Sequence, residues 1–121
     1  MGYNEMVQRV RKYSDLTHEE AQEVLELMVL SLSTRLNDQQ RKAFANDLPE
    51  HLHDLALIVR GTQGDSRKDL VRQFMDLQAV DEPKARRQIT AGWKALSDTI
   101  SGRKLELLRK QLPPQTAAVL Q

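Results

Sequence analysis

The chain has 121 residues, eighteen Lys and Arg against seventeen Asp and Glu, a net charge of +1, 40% apolar residues and no Cys. That is enough for one domain with a core of its own, and too apolar for a disordered chain. It excludes a disulfide scaffold and a Cys-ligated zinc module.

Helical spacing runs along the chain. Met6, Val7, Val10 and Tyr13 recur at three and four residues and predict a first helix of about three turns. Thr17-His18-Glu19-Glu20 has the form of a capping box. A long helix follows, with Ala21, Val24, Leu25, Met28, Val29, Leu32 and Leu36 on one stripe. Asn37 or Asp38 can cap a third helix carrying Ala43, Phe44 and Leu48. Pro49 fits the first turn of a short fourth helix, whose apolar side is Leu52, Leu55, Ala56 and Val59.

Arg60 to Asp65 breaks the pattern and reads as a linker. Ser66 and Asp69 then form a capping-box-like pair before a helix marked by Leu70, Val71, Phe74 and Leu77. Asp81-Glu82-Pro83 starts a long helix with Ala85, Ile89, Trp93, Leu96 and Ile100. Ser101-Gly102 precedes Leu105, Leu108 and Leu112, and Pro113-Pro114 opens a last short helix. No β-alternation is present, so the expected fold class is all-α.

A shift of 64 residues lays the second half on the first without gaps. Val7 falls on Val71, Ala21 on Ala85, Leu32 on Leu96, Ser33 on Ser97, and Leu48-Pro49 on Leu112-Pro113. Identities number only 6 of the 53 pairs from 5/69 to 57/121, so the argument rests on apolar register and on the two Leu-Pro pairs. The pattern predicts a tandem repeat of two units of about four helices each, packed as one domain. Unit one spans 3–59, the linker 60–65 and unit two 66–121.

The chain resembles the bacterial helical family catalogued as domain of unknown function 2267. Tyr3 through Val10, Glu20-Ala21, Thr34-Arg35-Leu36 and the two Leu-Pro pairs carry the likeness over nearly the whole chain. The resemblance implies a bacterial protein with a two-repeat helical fold, and it brings no catalytic residue with it.

No run approaches the ~20 apolar residues of a bilayer span. Glu5 through Lys12 is charged, unlike a signal peptide, and Met6 stands where a myristoylation signal needs Ser or Thr. The expected location is the cytoplasm, with no membrane contact.

Chemistry-bearing patterns are sparse. His51 and His53 lie two apart, which on a helix points them in nearly opposite directions, so they read as solvent-facing residues flanking Leu52 rather than as metal ligands. His18 reads as a first-turn residue. Glu19, Glu20, Glu23 and Glu26 read as a solvated face near a helix start. Gly61-Thr62-Gln63-Gly64 has the letters of a KH-domain loop but no strands beside it. No serine sits in a nucleophile elbow, and no phosphate loop is present. Trp93 and Met28 read as core. The chain is expected to be non-enzymatic, without metal or cofactor.

The neutral total hides a split. Residues 1–64 carry 7 basic and 10 acidic side chains, and residues 65–121 carry 11 and 7. Glu20 and Glu23 correspond to Lys84 and Arg87, and Gln22 to Arg86. The first long helix is also apolar nearly all round, through Leu27 and Leu30, whose counterparts are Ala91 and Lys94. Either the helix over 50–59 covers that side, which is the preferred reading, or the two leucines face a partner. The function expected is therefore a non-catalytic interaction or scaffold module that can self-associate. Leu27, Leu30, Glu20 and Glu23 would meet a surface containing Lys84, Arg86 and Arg87. The alternative is a nucleic-acid contact through the basic face of the second half, with Arg103, Lys104, Arg109 and Lys110 added to those three cations. That alternative ranks lower, because no interleaved aromatics offer stacking surfaces.

Overall fold

A computed structural model describes residues 2–58 and 69–120. Among these the chain forms eight helices and no strand: α1 (Tyr3–Lys12), α2 (His18–Ser33), α3 (Asp38–Asn46), α4 (Glu50–Ile58), α5 (Leu70–Gln78), α6 (Glu82–Thr99), α7 (Gly102–Gln111) and α8 (Pro114–Val119). The proposed linker, Val59 and Ser66 lie outside the described residues.

Local side-chain chemistry sets most helix starts. Thr17 Oγ1 accepts from the Glu20 amide at 3.1 Å, and Glu20 Oε1 accepts from the Thr17 amide at 2.9 Å. Asn37 and Gln40 do the same for α3, at 2.8 and 3.0 Å. Asp81 caps α6 by accepting from the Lys84 amide at 3.0 Å. Each cap satisfies amides that the first helical turn leaves without partners. Asp69 differs from its expected place as the partner of Ser66. It is itself the cap of α5 and accepts from the Val71 amide at 2.8 Å. Pro49 stands just before α4, where its carbonyl accepts from the His53 amide and its missing N–H costs nothing.

The apolar stripes gather into one core. α2 and α6 lie side by side, and α1 packs on both, burying Met6, Val7 and Val10. α4 covers α2 with fully buried Leu52 and Ala56, and α3 packs beside it. α5 seats Leu70, Val71 and Phe74 on α6; α8 touches α5 and α7, and α7 meets α3. Glycine is required at the α2–α6 crossing. A Cβ on Gly92 would stand 2.5 Å from Met28 Cγ, so only a residue without one permits this approach.

Arg41 ties the end of α2 to the start of α3. It is 5% exposed, and its guanidinium donates to the Ser33 carbonyl at 3.2 Å, the Leu36 carbonyl at 2.9 Å and Asp38 at 2.8 Å. Carbonyls left open at a helix C-terminus are thereby satisfied.

Two positions on expected apolar faces are exposed. Ala43 is exposed. Leu77 is 62% exposed, because α5 stops at Gln78 and its final turn is left uncovered. The stop itself is Ala79, at φ 53° and ψ 50°, a left-handed conformation in which the Val80 amide donates back to the Met75 carbonyl at 3.2 Å.

Candidate functional site

The anticipated contact residues fall into separate environments. On α2, Glu20 is occupied in its capping box. The Thr17 amide and then its hydroxyl hold the Glu20 carboxyl below the usual carboxylate range, and the Lys84 charge adds to the effect. Glu23 is exposed. Leu27 is half-buried and packs against the core, and Leu30 is half-buried. The large apolar residues left exposed among the described residues are instead Leu57, Ile58, Leu77 and Leu107.

The basic trio of α6 divides. Arg86 forms an ion pair with Glu82 at 3.3 Å. Lys84 and Arg87 line a pocket of about 450 Å³ together with Lys12 at the end of α1 and residues 13–16 after it. On α7, Lys104 reaches Asp47, the residue that ends α3, at 2.8 Å, and Arg109 pairs with Glu106 at 3.2 Å. Arg103 and Lys110 are exposed, with no carboxylate within ion-pairing distance among the described residues.

The histidines are not all solvent-facing. His53 is half-buried, with Nδ1 2.8 Å from the Ala45 carbonyl oxygen; α4 packs on α3 and brings the ring under that carbonyl. His51 is exposed and stands edge-on to the Tyr3 ring, centroids 4.6 Å apart, with Nε2 3.5 Å from Glu26. The Tyr3 hydroxyl donates to Glu26 at 3.0 Å, and burial together with that carboxylate pushes its pKa up. Glu26 is therefore engaged rather than freely solvated. Trp93 is 8% exposed and belongs to the core. Among the described residues no three His, Cys, Asp or Glu cluster to hold a metal ion, and no helix is long and apolar enough to cross a membrane.

A feature absent from the sequence expectations is a groove of about 280 Å³ between α3 and α7. Buried Phe44 and Leu108 form its floor, with Ile100 at one end. Ala43 and Leu107, the latter 55% exposed, stand on its walls, and the Lys104–Asp47 bridge crosses its rim. Its signal is present in the sequence. At 100° per residue Leu105, Leu108 and Leu112 share a face, and Leu107 projects well away from it as an apolar residue on a polar side.

The sequence model of an uncharacterized conserved protein family, DUF2267, matches residues 3–119. No curated protein matches the chain.

Proposed function

The chain belongs to the DUF2267 family, and on that premise we propose that it is a non-catalytic protein-interaction module whose contact surface is the α3–α7 groove. The observation that carries this reading is the open apolar groove itself, with Leu107 55% exposed beside a buried Phe44–Leu108 floor. Its occupant is an amphipathic helix of a partner protein. Leucine-sized side chains enter the groove, and acidic residues flank them to meet Arg103 and Lys110.

The same reading includes a tandem of two related units. The starts of α2 and α6, α3 and α7, and α4 and α8 are each 64 residues apart. Met28 meets Gly92 at that offset. The groove sets Gln40, Ala43, Phe44 and Asp47 opposite Lys104, Leu107, Leu108 and Gln111, again at that offset. The groove is thus the seam between corresponding helices.

Self-association of the acidic α2 face with the basic α6 face draws less support, because Lys84 already acts on Glu20 within one chain. Nucleic-acid contact draws less still, since Lys104, Arg109 and Arg86 are each engaged with a carboxylate. The test places a photo-reactive residue at Leu107 and cross-links in the native host. The reading expects one discrete adduct whose peptide is an acidic amphipathic helix, absent when the probe stands at exposed Thr90. The same adducts from both positions, or none from Leu107, overturn it.

A further inference from the structure

The pocket beside α6 points to a different kind of ligand. Its lining joins Lys12, Tyr13, Ser14 and Leu16 from the end of α1 and the following turn to Lys84, Arg87 and Gln88 of α6. Asp15 is the one carboxylate among the described residues of that lining. Lys12, Lys84 and Arg87 have no carboxylate within ion-pairing distance among the described residues, although Lys84 acts on Glu20 from farther off, and the described lining counts three cations against one carboxylate. Gln88 is 3% exposed, yet its Oε1 has no hydrogen-bond partner, and no hydrogen bond of its amide nitrogen is formed with the described residues. A buried side-chain amide normally finds partners, so this one is held ready for a group that is not part of the chain.

The wall opposite is fixed. The Tyr13 hydroxyl donates to Asp98 at 2.7 Å, Arg9 approaches the same carboxylate at 3.4 Å, and Lys94 stands 5.3 Å from the Tyr13 ring centroid. Arg11 Nε donates to the Leu16 carbonyl at 3.4 Å and braces the turn. The pocket therefore has preset walls rather than being a loose collection of surface lysines.

We propose that this pocket binds a small organic phosphate. A phosphate monoester carries a charge of about −1.5 to −2 at neutral pH and offers three strong acceptor oxygens, which matches the excess positive charge. The Arg87 guanidinium and the two ammonium groups supply charge-assisted donors, the Gln88 NH2 supplies a further one, and the orphaned Gln88 Oε1 accepts from the hydroxyl of a monoprotonated phosphate or of the organic part. About 450 Å³ exceeds what the phosphate alone fills and falls in the range of small-molecule sites. Leu16 and the Tyr13 ring give the organic part an apolar wall. This site is separate from the α3–α7 groove and does not depend on it.

The test is a two-dimensional amide NMR titration of the full chain with glycerol 3-phosphate, phenyl phosphate and inorganic phosphate. The proposal expects saturable shifts confined to residues 12–16 and 84–88 and including the Gln88 side-chain amide. Organic phosphates should bind several-fold more tightly than inorganic phosphate. Arg87→Glu should weaken binding by about tenfold or more, whereas Arg86→Glu, the same charge change one residue away, should weaken it far less. Gln88→Leu, checked for retained folding by its amide spectrum, should also weaken binding without changing net charge. Shifts that do not saturate or that spread equally to α7, or equal effects of the two arginine variants, overturn the proposal. Equal affinity for inorganic and organic phosphate overturns the organic part.

Discussion

Gly92→Ala tests the α2–α6 crossing directly. In an exposed helix interior this change stabilises by about 1 kcal/mol, because alanine loses less backbone entropy. Here the new methyl carbon lands 2.5 Å from Met28 Cγ and 3.5 Å from Val24 Cγ1. The first contact is impossible without movement, and the second is ordinary. Met28 is completely buried, and its Cγ lies near the root of the side chain, so it can yield only by changing its first torsion or by pushing the helices apart. Overpacking of this kind costs about 1–3 kcal/mol, which outweighs the propensity gain. The expected net result is a loss of roughly 1 kcal/mol, or about 4 °C in Tm, measured by urea and thermal unfolding with far-ultraviolet circular dichroism. Gly102→Ala, where a Cβ meets nothing within 4 Å, should be neutral or mildly stabilising. Met28→Ala alone should cost about 2–5 kcal/mol, and less when Ala already occupies position 92, giving a coupling of about 1 kcal/mol. If Gly92→Ala stabilises the protein as an exposed site would, the close approach is wrong.

Three further outcomes follow from local geometry. Ala79→Gly should raise stability by about 1 kcal/mol in urea unfolding, because it removes a side chain from a left-handed cap; a loss of stability would contradict that cap. Arg41→Ala should cost about 2–4 kcal/mol by leaving buried carbonyls unpaired, and Arg41→Lys should recover only part, since one ammonium cannot span two carbonyls and Asp38; full rescue by lysine would refute that. The raised Tyr3 pKa stabilises the folded state below the ordinary tyrosine pKa of about 10, and that contribution is lost as pH climbs toward the folded-state value. Tyr3→Phe should therefore flatten the alkaline loss of stability, and an unchanged slope would remove Glu26 and burial as its cause.

Much of the architecture is legible because it is local. Thr17, Asn37 and Asp81 announce their helices through side chains that can reach amides two or three residues on, and the structure uses all three in that way. The 3.6-residue stripes of α2 and α6 likewise name most of the core. What escaped depends on neighbours. Leu77 lies on the apolar side of α5 but beyond anything that covers it. His53 reads as solvent-facing until α4 packs on α3. Leu27 and Leu30 make α2 look over-hydrophobic, yet α4 packs against that helix, while one leucine out of register on α7 marks the open groove. Gln88 and Arg41 are polar residues in buried places, and periodicity carries no information about which carbonyl or pocket will meet them.

The groove is tested most directly with the partner helix identified by cross-linking, made as a fluorescent peptide and titrated by anisotropy. Leu107→Glu should weaken its binding by about tenfold or more, because a carboxylate would then occupy an apolar wall beside acidic ligand residues, while Tm stays unchanged because Leu107 is already exposed. Equal affinity for the wild-type and Leu107→Glu proteins would contradict the assignment of the α3–α7 groove as the contact surface.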